Sequence, residues 1–161
     1  MTDTLACNAS PVIFLARIGK LSLLADISPK VIVPRSVMNE VEAGNGIDGA
    51  GSMARAASFI EVVPDMPTNP SVALWQLGPG ETQVLSLAAA MPGVVAVIDD
   101  LAARKCAKAL GLGLLGTVSV LAIAKKRGLI PALAPVLHDL REGGMRLSPA
   151  LVEQILRESG E

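Results

Sequence analysis

Val94-Val95-Ala96-Val97-Ile98-Asp99-Asp100-Leu101-Ala102-Ala103-Arg104-Lys105-Cys106-Ala107-Lys108 is the stretch on which the reading of the whole chain turns. It opens as a β-branched run apolar on both faces, the pattern of a strand inside a parallel sheet. It then stops on two carboxylates and passes directly into an alanine-rich helical pattern. In open α/β sheets, ligand chemistry sits outside the carboxyl ends of the strands, and here that end is Asp99-Asp100. Neighbouring carboxylates repel by about 1 kcal/mol in water and about 4 kcal/mol in a cleft of intermediate dielectric, so a side-chain cation or a metal is expected beside them. The plainer alternative is that one aspartate caps the following helix.

Working outward, Leu5-Ala6-Cys7 is a short apolar strand ending at Asn8. Pro11 suits the first turn of a helix through Ile18, with Ser10 as its cap. Val31-Ile32-Val33 and Phe59 to Val63 are further strands, each closed by a proline. Between them, Ser36 to Glu42 reads as a helix with Val37, Met38 and Val41 on its apolar side. Gly44 to Ser52 is expected as a mobile glycine-rich loop, followed by a helix over Met53 to Ser58. The proline-rich segment Pro64 to Pro79, which contains Trp75, reads as an ordered surface loop. Gly80-Glu81-Thr82 starts a helix through Ala90. A short strand near Leu112 to Leu115 and a helix from Thr117 to Arg127 follow. Helices around Pro131 to Arg141 and Pro149 to Glu158 finish the chain.

Alternating strands and helices imply a five-stranded parallel sheet with right-handed crossovers. If the strand order doubles back between the first and fourth strands, Asn8 and Ser10 stand beside Asp99 and Asp100. Glu40 and Glu81, each near a helix start, then face the same crevice. The totals agree with one domain over residues 1–161, its C-terminal helices at about 131–158 packed as an extension. The chain is 51 % hydrophobic and 18 % charged, which excludes disorder, and its net charge of -1 gives no global pull on nucleic acid. One histidine and two isolated cysteines leave no zinc set of the usual kind and suit a reducing compartment. Gly111 to Ala124 is apolar but shorter than a bilayer span. With no signal-peptide pattern at the start, the expectation is a soluble cytoplasmic protein without membrane contact.

Several of these residues together resemble the PIN-domain family. They are Asn8-Ala9-Ser10-Pro11-Val12-Ile13, Glu40 in Val37-Met38-Asn39-Glu40-Val41, Gly80-Glu81 with Leu85 to Ala89, Asp99-Asp100 with Ala103-Arg104 and Ala107, and Gly116-Thr117. The closer likeness is to its prokaryotic branch related to the ribonuclease toxins of toxin–antitoxin pairs. That resemblance implies a three-layer α/β sandwich, the parallel sheet flanked by helices. It also implies an acidic cluster holding magnesium or manganese, and metal-dependent cleavage of single-stranded RNA. By the same resemblance Glu40, Glu81, Asp99 and Asp100 are the catalytic and metal-binding acids. Asn8 stands where the family usually has its first-strand aspartate, and Ser10, Arg104 and Thr117 are substrate-side positions. A small antitoxin-like protein is the implied partner. A homodimer is expected because helices such as Pro11 to Ile18 carry more apolar surface than one sheet covers.

Rival readings attach to particular residues. Asn8 brings a metal one neutral oxygen and no charge, so a catalytically weakened interaction module is the main alternative. Paired aspartates at a strand end also suit a receiver-like phosphoacceptor, but such a pair normally follows the first strand. Glu81 also suits the positive end of a helix dipole, and Arg104 lies one turn from Asp100 and either pairs with it or meets phosphate. Lys105, Lys108, Lys125, Lys126 and Arg127 form either a basic rim for RNA or solvated faces. Gly111-Leu112-Gly113-Leu114-Leu115-Gly116 matches a dinucleotide fingerprint by letter, but a helix precedes it and its middle is itself the expected strand.

Overall fold

The computed structural model describes residues 4–44 and 49–161. Its strands are β1 (Thr4–Cys7), β2 (Val31–Pro34), β3 (Ile60–Val63), β4 (Val94–Val97) and β5 (Gly113–Leu115), paired in parallel in the order β3-β2-β1-β4-β5. The helices, in chain order, are α1 (Ala9–Arg17), α2 (Leu23–Ile27), α3 (Arg35–Ala43), α4 (Ala50–Ala56) and α5 (Pro70–Ala73). They continue with α6 (Pro79–Ala90), α7 (Leu101–Ala109), α8 (Thr117–Lys126), α9 (Ala134–Glu142) and α10 (Pro149–Glu158). This is the expected five-stranded parallel sheet flanked by helices.

Burial explains the order. Leu5, Ala6 and Cys7 of β1 are wholly buried, and β2 and β4 are buried almost throughout, so these three occupy the middle. β3 and β5 are half-exposed and form the edges. Burial also pushes the Cys7 thiol up to about 12, which makes it an inert core residue. The chain runs outward from β1 to β3, returns to β4 beside β1, and leaves again toward β5. Connections therefore depart in opposite directions from the carboxyl ends of β1 and β4, which opens a crevice there. The Asn8 N–H donates to Val97 O at 3.0 Å and the Ile98 N–H to Leu115 O at 2.9 Å, fixing the three strand ends against one another.

Some boundaries differ from expectation, each for a local reason. Helix α1 begins at Ala9, not Pro11, so Asn8 occupies the N-cap position and Ser10 is not the cap. The Ser10 hydroxyl instead donates across the crevice to Asp99. Helix α4 starts three residues earlier than expected, at Ala50, because Gly49 adopts the left-handed conformation that only glycine takes easily. Residues 45–48 of the expected glycine-rich loop lie outside the described residues. The proline-rich segment contains one helical turn, α5, whose first amides are capped by Asn69 Oδ1.

That segment is pinned by two buried polar residues of α6. Gln83 accepts from Met66 N–H and donates to Met66 O, both at 2.9 Å, and the Ser86 hydroxyl accepts from Asn69 N–H at 3.0 Å. Farther along, Gln76, Leu77 and Gly78 line the crevice. The glycine run 111–116 contains β5 at its centre and forms no dinucleotide turn. His138 is exposed on α9. Among the described residues no helix is long and apolar enough to cross a membrane.

Candidate functional site

At the crevice lies a cleft of about 620 Å³ lined by Ser36, Glu40, Gln76, Leu77, Gly78, Pro79, Gly80, Glu81, Asp100 and Ala102. Among the described residues three carboxylates border it and no cationic side chain does. Each acid arrives by a different route. Helix α3 turns Val37, Met38 and Val41 into the core, which leaves Glu40 on its flank, one turn beyond Ser36. Glu81 stands in the first turn of α6, after the N-cap Gly78 and Pro79 at the first helical position. Its Oε2 lies 2.7 Å from where a Cβ of residue 78 would stand, so a side chain at that position would push the Glu81 carboxylate aside. Asp100 is the N-cap of α7, its Oδ2 accepting Ala103 N–H at 2.9 Å. The plainer capping reading is therefore correct for that oxygen, while Asp100 also borders the cleft.

The inner wall is Gly80, which is buried. A Cβ there would stand 3.0 Å from Asn8 Oδ1, 3.0 Å from Glu40 Oε2 and 3.3 Å from Val37 Cγ2. Asn8 is only 3 % exposed, and its Oδ1 has no hydrogen-bond partner. Among the described residues the one other buried side-chain polar atom without a partner is Ser36 Oγ, in the wall of the same cleft. An unpaired buried polar atom costs about 1–3 kcal/mol, and nearly all such atoms in folded proteins are paired. Two together mark a place where something polar belongs.

Asp99 plays a different part from its neighbour. Its Oδ1 accepts Thr117 N–H at 2.8 Å, and its Oδ2 accepts the Thr117 hydroxyl at 2.6 Å and the Ser10 hydroxyl at 3.2 Å. Asp99, Ser10 and the buried Thr117 are thus brought together, but outside the acidic cleft, where they tie α1 and α8 to the end of β4. An amide at position 99 has one acceptor oxygen for these three donors. Asp99→Asn is expected to cost about 2 kcal/mol, lowering the melting temperature by about 4–8 °C. Thermal unfolding checks this, and an unchanged midpoint would show that these bonds add nothing.

Arg104 does not pair with Asp100. Its Nη1 donates to Ile98 O at 2.9 Å. The expected basic rim is also partly committed: Lys125 pairs with Glu161 and Arg127 donates to Ile27 O. Lys105, Lys108 and Lys126 are exposed.

The proton affinity of Glu40 reflects the cleft. Although the residue is exposed as a whole, Oε2 turns in beside Gly80. Loss of water there, and secondly the charge of Glu81, hold its pKa above the ordinary value of 4.5. A carboxylate with a raised folded-state pKa opposes folding once ionised, and the opposition fades as pH falls through that raised value. Without metal at pH 7, Glu40→Gln should therefore raise the melting temperature by about 1–2 °C. That corresponds to roughly 0.5 kcal/mol after solvent screening. The gain should disappear below pH 4.5, where both states are protonated. A lower midpoint for the variant at pH 7 would contradict this account of the cleft.

As they stand, no three histidine, cysteine, aspartate or glutamate side chains among the described residues are gathered to hold an ion. The donors nevertheless suit a hard divalent cation in kind: carboxylates of Glu40, Glu81 and Asp100, the amide oxygen of Asn8, and no sulfur or imidazole. Ser36 and Gln76 also line the cleft and were not expected from the sequence, although Ser36 lies one turn before Glu40. Gln76 has a φ of 51°, the one described non-glycine residue in left-handed backbone, and nothing in its side-chain type announces this.

No curated protein matches the chain. A family model described as a PIN domain matches residues 4–161, nearly the full length. Together with the parallel sheet and the acids at its carboxyl edge, this match shows a nuclease-type fold: the chain belongs to the PIN-domain family.

Proposed function

We propose that this chain is an endoribonuclease that cleaves single-stranded RNA with magnesium or manganese held in the acidic cleft. The observation that carries the proposal is the pair of unpartnered buried oxygens, Asn8 Oδ1 and Ser36 Oγ, beside three carboxylates with no cation among them. Asn8 Oδ1 and Glu40 Oε2, both beside Gly80, would hold the ion together with Glu81 and the uncapped oxygen of Asp100. When bound, the ion supplies Lewis acidity for in-line attack of water on a phosphodiester. Loss of water and the charge of Glu81 raise the proton affinity of Glu40, and a cation held between the two carboxylates would offset both. Asp99 acts through Thr117 and Ser10 as a positioning residue, keeping the end of β4 and the start of α8 in register. The loop through Gln76 forms one side of the cleft.

A second reading, an interaction module with weakened catalysis, is favoured by one observation: Asn8 contributes no charge, and both aspartates already serve local hydrogen bonds. The two readings part in one experiment, incubation of end-labelled single-stranded RNA with manganese, with magnesium, or with EDTA. The nuclease reading expects internal cleavage only where metal is present. RNA that is bound and left intact under all three conditions would favour the interaction module.

A further inference from the structure

The end of β4 divides two pockets of opposite character. Asp100 borders the acidic cleft, whereas Asp99, one residue earlier, borders a second pocket of about 360 Å³ on the β5 side. Arg104 and Arg146 line that second pocket together with Ser119 and an apolar wall that includes Leu147 and Leu151. Two cations there face one carboxylate, and both oxygens of that carboxylate are already taken up by Thr117 and Ser10. The local balance is therefore positive, although the chain as a whole carries -1.

The floor of this pocket is a glycine, as in the acidic cleft. A Cβ on Gly116 would stand 2.9 Å from Arg104 Nη1 and 3.2 Å from Asp99 Oδ1. Arg104 is oriented by its bond to Ile98 O, so its remaining donors are presented from a fixed guanidinium. Arg146 is exposed and makes no ion pair among the described residues. Helix α10, which brings Leu151 and Ile155 to the pocket, is tied at its end, where Lys125 donates to Ser159 O and pairs with Glu161, which also accepts Leu133 N–H.

We infer that this pocket is a subsite for the nucleotide next to the cleaved bond, its phosphodiester held by Arg104 and Arg146 and its sugar and base lying on the apolar wall. Planar guanidinium groups match phosphate oxygens in pairs, and a cationic pocket one residue from an acidic one gives a polyanionic strand a defined direction across the site. This inference rests on the reading of the acidic cleft as the place where RNA is cut.

The test is binding of a short labelled single-stranded RNA by fluorescence anisotropy in EDTA, over a range of salt, for the wild type, Arg146→Ala and Arg146→Lys. Arg146 is exposed, so its loss should leave the melting temperature unchanged. For Arg146→Ala the expected result is a Kd raised about tenfold and a salt slope lowered by about one, with partial recovery in Arg146→Lys. Gly116→Ala, which displaces the Arg104 guanidinium, should weaken binding in the same direction. A single-stranded DNA arm shows whether the phosphate alone or the ribose also is read. Unchanged Kd and slope in Arg146→Ala would overturn the subsite. The manganese-induced rise in melting temperature is read in parallel. A lost rise with an intact Arg146 effect would remove the proposed metal site and leave the basic pocket standing.

Discussion

If the acidic cleft cuts RNA as proposed, Glu81→Gln is expected to lower manganese-dependent cleavage about a hundredfold or more while the fold persists. Glu81 stands half-buried at the start of α6, bordering the cleft and raising the proton affinity of Glu40 across it. The amide keeps the shape and removes a full charge from a site whose affinity and transition-state stabilisation both depend on charge. Losses of about 10²–10³ are typical when one such electrostatic group is removed. Stability should barely move. The variant relieves repulsion with Glu40 and gives up a favourable interaction with the helix dipole, each worth a few tenths of a kcal/mol to about 1 kcal/mol. Cleavage within threefold of wild type, with normal manganese dependence, would mean that Glu81 is only a first-turn charge.

Asn8→Asp should produce two effects of opposite sign. Asn8 is 3 % exposed, with its oxygen beside Glu40 Oε2 at the Gly80 wall. A carboxylate there joins two others in a poorly hydrated place, so its folded-state pKa rises above its unfolded value. The metal-free variant is then destabilised above the unfolded aspartate pKa of about 3.9, and the penalty is lost as pH falls through the raised folded value. At pH 7 the cost should be on the order of 1 kcal/mol, or about 2–4 °C. Manganese reverses the balance, because the added charge should tighten binding about tenfold, worth about 1.4 kcal/mol. Calorimetric titration and thermal unfolding with and without metal read the two effects separately. A variant destabilised equally in both conditions would show that Asn8 does not face an ion.

The three central strands β1, β2 and β4 announce themselves because each is apolar on both faces and is followed by or ends in an amide, a proline or an acid. The doubled-back order then brings Asn8 and Asp100 to one crevice, where the flank of α3 adds Glu40 and the first turn of α6 adds Glu81. Asp100 shows that a cap and a cleft-lining acid are not exclusive: one oxygen closes α7 while the residue still borders the cleft. Ser10 was misread because Ser-Pro resembles a helix start, whereas α1 begins one residue before it and its hydroxyl is drawn across the switch point to Asp99. The distinct fates of Asp99 and Asp100 could not be read locally, since they depend on β5 delivering Thr117 alongside β4. Arg146 carries no pattern at all, and it reaches the second pocket because α9 packs on α1 while α10 lies beside α8.

The cleft between Asn8, Glu40, Glu81 and Asp100 is proposed to hold a divalent ion. The most direct measurement is anomalous diffraction from crystals of the protein grown with millimolar manganese. The account predicts one strong anomalous peak in the cleft, within about 2.0–2.6 Å of a Glu40 carboxylate oxygen and Asn8 Oδ1, as expected for oxygen ligands of a hard divalent ion. It also predicts that Glu81 and Asp100 turn inward relative to the metal-free arrangement. An empty cleft at that concentration, or a peak confined to surface carboxylates elsewhere, would contradict it.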